Sequence, residues 1–306
     1  MKIFKKLYYA CKFKYLFMNH KWVKSEIQID NFADKISLYP MQKNESSLPK
    51  IIWIYWQGEC PDLVQACLQK IQKENLDYQV LILNPENMGQ YSQVDWTIYS
   101  HLTPQQKADL LRFDLLYAHG GIWLDASILL YQNLDWINHL LCQEKTAIFA
   151  YYRAKNTIHS DYPVIENWLL AARPKQEFFK AWFDELAYAL KISPQQYIAD
   201  IKQQYENPKE IFQEIGNLEY LIAYVACQKI MRCTKPSITV INCDENALSY
   251  QVKNRWVKEK VLIELAISTP SIPHPYLIKL TKKERNYLSK FYQHQYYFKG
   301  SLLDLS

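Results

Sequence analysis

The chain has 306 residues, 49% of them hydrophobic, which is enough to bury one large core or two modest ones. Its net charge of +5 is concentrated at the N-terminus, where residues 1–24 contain seven Lys and no acidic residue, so that residues 25–306 together carry −2. This distribution argues against a nucleic-acid-binding surface on the body of the protein. The seven cysteines form no C-x-x-C pair, which favours buried or incidental thiols in a reducing compartment over a disulfide framework or a zinc site.

Residues 1–47 are predicted to form a basic, helical N-terminal segment. An apolar stripe recurs there at helical spacing, formed by Phe4, Leu7, Tyr8, Cys11, Tyr15, Met18 and Trp22. The stripe is impure, because Phe13, Leu16 and Phe17 fall among the lysines. Two interpretations stay open: an ordinary first helix packed on the core, or a helix that lies through residues 1–24 on the anionic inner face of the cytoplasmic membrane. Lys12 and Lys14 interrupt any signal-peptide core, and no uncharged run is long enough to span a bilayer.

A β-strand, a helix and a second β-strand follow within 33 residues. The run at 51–56 is β-branched and aromatic, residues 62–73 carry an apolar face at helical spacing, and residues 78–83 again favour a strand. Such a unit places its two strands side by side and parallel, so the sequence predicts an α/β fold with a parallel element in its sheet.

The next helix is bounded by clear signals. Thr103 is predicted as the N-cap of a helix over 104–118, with Pro104 at the first helical position and Gln106 completing a capping box. A strand follows directly after Gly120 and Gly121. Beyond residue 152 the pattern predicts helices at about 176–190, 194–205 and 217–231, with short strands near 238–242 and 248–252. We therefore divide the chain into an α/β part at 48–152 and a C-terminal part of the same catalytic domain at 153–306.

The six glycines exclude two common nucleotide sites. None forms the G-x-G-x-x-G of a dinucleotide fold or the G-x-x-x-x-G-K of a P-loop, both of which hold phosphates on exposed backbone N–H groups. A nucleotide bound here needs its diphosphate neutralised in another way, and a divalent cation on a carboxylate is the usual one.

Asp125 is the first candidate for such a carboxylate. It ends the run "GGIWLD", and ligands of open α/β sheets bind beyond the carboxyl ends of strands. Alternation along a strand puts Trp123, Asp125 and Ser127 on one side. On the preceding helix, Asp109 and Arg112 share a face at i and i+3. Singly, each residue is better explained by a surface ion pair or a turn cap, but as an ordered set they predict a site.

The segments "LPKIIWIYWQG", "ADLLRFDLLYAHGGIWLDAS" and "NWLLAA" resemble the bacterial capsular polysaccharide synthesis proteins. These are sugar transferases related to yeast outer-chain mannosyltransferases and, more distantly, to clostridial glucosylating toxins. The resemblance covers about residues 48–230. It implies a GT-A-type fold, meaning a Rossmann-like mixed sheet flanked by helices and followed here by additional C-terminal helices. It also implies a nucleotide-sugar donor, retention of anomeric configuration, and Mn²⁺ or Mg²⁺ as cofactor.

The resemblance also assigns roles to residues of this chain. Asp109 and Arg112 match the family's donor-sugar contacts, and Asp125 matches the first Asp of its D-x-D motif, which addresses the ribose and the metal. Trp123 stands where relatives often have Tyr. Trp56 matches an aromatic residue expected near the nucleobase, and Asn167 is a weaker candidate for a sugar hydroxyl contact.

Ser127 departs from the family pattern, because it replaces the second Asp, which is normally the direct metal ligand. A neutral hydroxyl is a poor substitute for a carboxylate on a hard cation. Three explanations stay open: Asp125 holds the metal with phosphate and water, a distant group such as His274 completes the ligand set, or metal dependence is weak. A cluster of basic residues could assist a leaving diphosphate or simply form a solvated helix face; it comprises Lys279, Lys282, Lys283 and Arg285.

The sequence therefore predicts a cytoplasmic hexosyltransferase with a DXD-like motif, either free or peripheral on the membrane. It would transfer sugar from a nucleotide-sugar donor, with UDP favoured, to a glycan or lipid-linked glycan acceptor of capsule or lipopolysaccharide. Two alternatives remain. One is a hydrolase that uses Asp114 and Asp125, although Asp114 falls on the opposite helical face from Asp109 and Arg112. The other is a non-catalytic module that binds membrane surfaces.

Overall fold

The computed structural model describes residues 2–42 and 47–306, with side chains from residue 6 onward. Its strands are β1 (Val23–Lys24), β2 (Ile36–Leu38), β3 (Ile51–Tyr55), β4 (Gln79–Leu83), β5 (Gly121–Leu124), β6 (Ile128–Leu130), β7 (Ile148–Tyr152), β8 (Ile165–Ala172), β9 (Ile238–Asn242), β10 (Ser268–Thr269) and β11 (Leu277–Lys279). Its α-helices are α1 (Lys2–Met18), α2 (Asp62–Glu74), α3 (Pro104–His119), α4 (Asp135–Glu144), α5 (Glu177–Ile192), α6 (Pro194–Gln204), α7 (Lys209–Phe212), α8 (Ile222–Thr234), α9 (Ser249–Lys253), α10 (Lys258–Ala266) and α11 (Lys282–Gln293).

A seven-stranded mixed sheet forms the centre of the fold, in the order β2-β9-β7-β8-β5-β3-β4. β3 runs parallel to both β4 and β5, whereas β8 runs antiparallel to β5 and β7. Apolar clusters cover both faces: one joins the sheet to α3, α5 and α8, and the other joins it to α2 and α4. The predicted α/β class is confirmed, and so is the predicted parallel pair of strands joined by α2.

The two glycines before β5 allow close packing between the sheet and its neighbours. Gly121 has φ +90°, and a Cβ atom there would lie 2.6 Å from the carbonyl oxygen of Ile51 on β3. The indole of Trp53 donates a hydrogen bond of 2.8 Å to the carbonyl of Gly120. The Gly pair thus lets α3 end and β5 enter the sheet beside β3, which brings the helix next to the strand that carries Asp125.

The elements β11 and α11, which we call the C-terminal layer, pack against β6 and α2. β11 pairs antiparallel with β6 and places Lys279 opposite Ile128, just beyond Asp125. Helix α11 begins three residues later at Lys282, with Thr281 as its N-cap. This arrangement delivers basic side chains from the end of the chain to the strand end at Asp125.

Helix α1 packs on this C-terminal layer through Phe13, Leu16 and Phe17, the apolar residues that lie outside the predicted stripe. The buried Phe13 ring meets Phe291 edge-on at 5.3 Å between centroids, and Phe17 stacks on Phe298 at 5.5 Å. The predicted stripe instead faces solvent: Leu7, Tyr8, Cys11, Tyr15, Met18 and Trp22 are exposed, while Phe4 falls outside the described side chains. Across residues 2–42 and 47–306, no helix is long and apolar enough to cross a membrane.

Two secondary-structure predictions differ from the structure. Residues 248–252 were predicted as a strand but belong largely to helix α9, because Leu248, Tyr250 and Val252 alternate over a stretch too short to separate the two periods. The eight-residue strand β8, buried along its whole length, lies in a region that the pattern made mainly helical. Buried central strands lack polar alternation, which removes the signal that would have identified β8.

Candidate active site

A cleft of about 770 Å³ opens at the carboxyl ends of β3 and β5. We call it the central cleft. The structure brings seven of the eight predicted site residues to its walls: Trp56, Asp109, Arg112, Trp123, Asp125, Ser127 and Asn167. They come from two strand ends, one helix and β8. This is the position where open α/β sheets bind ligands.

Arg112 links the acidic residues of the site. Its buried guanidinium lies 3.0 Å from the carboxylate of Asp109 and 3.8 Å from that of Asp125. It also donates hydrogen bonds to the backbone carbonyls of Ala108 and Asn167. The guanidinium carbon lies 4.9 Å from the ring centroid of Trp123, within range of a cation–π interaction. With all these partners, Arg112 is held in one orientation.

Asp109 lies on the same wall, one turn before Arg112. Asn167 on β8 donates a hydrogen bond of 3.0 Å from its amide to the carboxylate of Asp109. Burial raises the pKa of Asp109 to about 6, although the charge of Arg112 acts in the opposite direction. Asp109 and Asn167 therefore form one polar patch, although 58 residues separate them in the chain.

Asp125 follows β5 and is anchored through its backbone, whose N–H donates to the carbonyl of Trp168 at 2.9 Å. Its carboxylate accepts a hydrogen bond of 3.3 Å from the indole of Trp123 and lies 2.6 Å from the ammonium group of Lys279. Burial acts to raise the pKa of Asp125, but the positive charges of Lys279 and Arg112 outweigh it and hold the pKa below its usual value. Asp125 is consequently a carboxylate with two cationic partners.

Ser127 and His274, the other two predicted metal ligands, each have a partner other than Asp125. The Ser127 hydroxyl is buried and donates to the carbonyl of Leu280 at 3.4 Å. The exposed His274 lies outside the central cleft, packed edge-on against Tyr131 at 4.9 Å between ring centroids. Among the described residues, no group of three His, Cys, Asp or Glu side chains could hold a metal ion.

Trp56 also lines the cleft, immediately after β3. Its indole donates to the carbonyl of Glu59 at 3.2 Å, and the guanidinium carbon of Arg285 lies 5.0 Å from its ring centroid. The half-buried aromatic ring is thus fixed in position on the cleft wall. A planar base could stack there, because aromatic faces accept such rings.

Glu166 is a cleft residue that the sequence did not indicate. It lies on β8 next to Asn167, is buried, and accepts a hydrogen bond of 2.7 Å from the hydroxyl of Tyr224. Burial raises the pKa of Glu166. Its only sequence signal is a carboxylate inside an otherwise apolar stretch, and that signal becomes informative only once β8 is known to be a strand.

Asp114 is not part of the central cleft, as expected from its helical face. Its carboxyl is partly buried, and burial raises its pKa while a hydrogen bond from Ser92 acts in the opposite direction. Asp114 and Asp125 therefore do not line the same cleft, which counts against the hydrolase alternative.

Comparison with known proteins decides the family. Residues 5–294 match the family described as "Capsular polysaccharide synthesis protein", which is most of the chain. The chain belongs to this family. The resemblance inferred from the sequence segments is thereby confirmed.

Relatives of this family member include two fungal enzymes. It is 29% identical over 80 residues to the glycosyltransferase afumC of Aspergillus fumigatus, a match that covers 26% of this chain and 20% of the relative. It is 25% identical over 114 residues to inositol phosphoceramide mannosyltransferase 3 of Schizosaccharomyces pombe, covering 35% of this chain and 32% of the relative. The chain thus matches a third or less of the length of these two enzymes.

Solved structures with some similarity to this family member are also glycosyltransferases. The galactosyltransferase LgtC, in complex with donor and acceptor sugar analogues, aligns with a TM-score of 0.37 and 8% identity, covering 80% of this chain and 95% of LgtC. The UDP-bound glycosyltransferase domain from the YGT toxin aligns with a TM-score of 0.36 and 10% identity, covering 82% and 91%. The family assignment rests on the sequence match and not on these structural similarities.

Proposed function

We propose that this chain is a glycosyltransferase that moves a hexose from a nucleotide-sugar donor to a growing surface polysaccharide of capsule or lipopolysaccharide. The observation that carries the proposal is the buried network of Asp109, Arg112, Asp125 and Asn167, which opens on a cleft at strand ends. Family membership and the glycosyltransferase relatives support the reaction class. The same family resemblance favours a GT-A-type fold, a UDP-sugar donor and a glycan or lipid-linked glycan acceptor.

In this proposal each wall of the central cleft binds one part of the donor. The base stacks on Trp56, the sugar hydroxyls bind Asp109, Arg112 and Asn167, and the diphosphate lies near Asp125. A carboxylate and an amide can accept and donate to hydroxyl groups together, so they can fix the orientation of a sugar ring. The protein would thus act mainly by positioning the donor and stabilising the charge of the leaving group.

The proposed transfer retains the configuration at the anomeric carbon, C1. The bond from C1 to the diphosphate oxygen breaks, and its electron pair stays on the diphosphate. The acceptor hydroxyl oxygen bonds to C1 from the face that the diphosphate leaves, and its proton passes to the departing diphosphate oxygen. An acceptor on this face lies next to the diphosphate, so no separate carboxylate base is required.

The divalent metal ion that the family resemblance implies would have few suitable ligands in this cleft. Ser127 offers a hydroxyl that is already hydrogen-bonded to Leu280, and Asp125 is paired with Lys279. Hard divalent cations prefer several oxygen ligands that include carboxylates. We therefore assign no step of the transfer to a metal ion.

Replacement of Asp125 by Asn tests the proposal. The change keeps the size of the side chain but removes the charge that holds the cationic groups of Lys279 and Arg112 beside the proposed diphosphate site. We therefore expect nucleotide release from the donor to fall by about 100-fold or more. The assay compares UDP-, GDP- and CMP-sugars, with thermal shifts as a measure of binding. Asp114→Asn is the matched control, because Asp114 lies outside the central cleft.

Each contrary result points to one of the alternatives. Full activity in Asp125→Asn would contradict the assignment of the site. Release of sugar from a glycan without any nucleotide, together with loss of that activity in Asp114→Asn, would favour a hydrolase. Absence of any nucleotide-induced shift would favour a non-catalytic module.

We further propose that helix α1 places the enzyme on the anionic inner face of the cytoplasmic membrane. The outward face of α1 combines apolar side chains that are more than half exposed with exposed lysines: Leu7, Tyr8, Tyr15 and Met18 with Lys6, Lys12 and Lys14. Apolar burial and attraction to anionic lipids act together on such a face, with about 1 kcal/mol for each Lys near the surface. A polysaccharide acceptor carried on a lipid would then lie close to the enzyme.

Sedimentation with lipid vesicles tests this surface. We expect binding to vesicles that contain phosphatidylglycerol, weak binding to pure phosphatidylcholine, and loss of binding in Leu7→Glu/Tyr15→Glu. Leu76→Glu is the control, since Leu76 is 85% exposed and follows α2, outside the α1 surface. Equal sedimentation of the double variant and the unaltered protein would refute the proposal.

A further inference from the structure

Lys279 places a positive charge directly beside Asp125. Its ammonium group lies 2.6 Å from one carboxylate oxygen, and its side chain is only 13% exposed. A contact of this length is typical of a strong charge-assisted hydrogen bond. The positive charge next to Asp125 is therefore supplied by the chain itself.

The position of Ser127 is part of the same arrangement. The backbone N–H of Leu280 donates to the carbonyl of Ser127 at 3.3 Å, and the Ser127 hydroxyl donates back to the carbonyl of Leu280 at 3.4 Å. An Asp side chain at 127 would direct a carboxylate at that carbonyl oxygen, and two acceptors repel each other. Serine at 127 thus fastens the strand that delivers Lys279, whereas the second Asp of a D-x-D motif would push it away.

A second cation borders the same space without a described carboxylate in direct contact. Arg285 on α11 lines the central cleft over the ring of Trp56. Among the described side chains, no carboxylate lies within 4.0 Å of its guanidinium, and its buried Nε has no hydrogen-bond partner. Arg112, by contrast, is shared between Asp109 and Asp125. Arg285 is consequently available to an incoming anion.

We infer that Lys279 and Arg285 replace the divalent cation in this protein, so that a nucleoside diphosphate binds and leaves without a metal ion. The inference rests on the proposed glycosyltransferase function and adds to it the identity of the groups that neutralise the diphosphate. Lys279 is held by Asp125 in the direction of the cleft, and Arg285 stands beside the proposed base site at Trp56. An ammonium and a guanidinium are both established partners of phosphate oxygens.

Titration calorimetry of the full chain with UDP and with GDP tests the inference, first in EDTA and then with Mn²⁺. We expect the dissociation constant of the preferred nucleotide to agree within about twofold in the two buffers. Nucleotide release from the matching donor sugar should also continue in EDTA. Binding that appears only with Mn²⁺ would overturn the inference and leave the proposed function standing. Absence of binding in both buffers would instead refute the proposed function.

Replacement of Lys279 gives an independent signature. In Lys279→Met we expect the affinity for the nucleotide in EDTA to fall by about 10- to 100-fold, the usual effect of losing a hydrogen bond to a charged group. Mn²⁺ should now improve binding, because Asp125 has lost its close cation. Lys279→Arg, which keeps the charge, should retain most of the affinity.

The control for these variants is Lys283→Met. Lys283 is exposed in the first turn of α11 and is not part of the central cleft, so its loss removes the same net charge at a neighbouring position. We expect its nucleotide affinity to equal that of the unaltered protein. Equal affinity of Lys279→Met and Lys283→Met in EDTA would contradict the role of Lys279, and circular dichroism establishes that each variant is folded.

Discussion

Removal of the Arg112 guanidinium should destabilise the fold mainly through Asp109. Both side chains are shielded from water, with Arg112 4% and Asp109 13% exposed. Arg112→Met retains much of the side-chain volume beside Trp123 but leaves the Asp109 carboxylate without a cation. Asp125 is less affected, since Lys279 stays 2.6 Å away. Loss of one partner of a buried ion pair costs about 3–5 kcal/mol, and we expect the free energy of unfolding at pH 7.5 to fall by that amount.

The loss should depend on pH in a defined direction. Burial raises the pKa of Asp109 to about 6 in the folded protein, above its value of about 4 in an unfolded chain. The stability due to this raised pKa is complete below about pH 4 and disappears as the pH rises through 6. Without Arg112 the pKa of Asp109 rises further. At pH 5 Asp109 is then protonated and needs no cation, whereas at pH 7.5 its ionised form is buried without one. The destabilisation by Arg112→Met should therefore be smaller at pH 5.

Urea unfolding at the two pH values measures this effect, and a second substitution isolates its cause. Asp109→Asn added to Arg112→Met removes the uncompensated charge, so about half or more of the lost stability should return. Lys180→Met is the control, because its pair with Asp184 is exposed and worth no more than about 1 kcal/mol. A double variant as unstable as Arg112→Met alone would refute the assignment of the cost to Asp109.

Two further predictions concern the proposed transferase reaction. If the ionised Asp109 holds the sugar hydroxyls, turnover should rise between pH 5 and 7 with an apparent pKa of about 6. The variant Asp109→Asn should be slow at every pH. A pH profile of the unaltered protein that is flat over this range would contradict this role. Trp56→Ala should weaken binding of the nucleotide by about 10-fold or more, because the base loses its stacking partner. The order of preference among donor sugars should not change. Unchanged nucleotide affinity would show that the base binds at another place.

Local signals in the sequence were sufficient for the elements around the first half of the site. Helix α3 begins where Thr103, Pro104 and Gln106 predict, because a capping box acts within four residues. Trp123, Asp125 and Ser127 do all line the central cleft, but β5 ends at Leu124, so strand alternation accounts only for Trp123, and Ala126 lines the cleft as well. Such features depend on neighbours in the chain and can therefore be read directly from it.

Local signals in the sequence could not predict the contacts between segments that are distant in the chain. Asn167 reaches Asp109 only because β8 inserts beside β5, and the buried β8 has no alternation by which to recognise it. The same strand carries Glu166, which sequence reasoning missed. Periodicity describes which way a residue faces, whereas the order of strands in a sheet depends on pairing energies summed over the whole fold.

Ser127 and Lys279 show how such a distant contact changes the chemistry inferred from a motif. When only the segment around Asp125 is considered, Ser127 stands where the family pattern has a metal-binding Asp. That segment alone therefore leaves the dependence on a metal ion open. The pairing of β11 with β6 brings Lys279 to Asp125, and the Ser127 hydroxyl helps to hold that pairing. One carboxylate then faces one ammonium group, whereas two carboxylates would need a dication. In the proposed transferase the serine and the lysine thus act together, because Ser127 helps to hold the strand from which Lys279 supplies the positive charge beside Asp125.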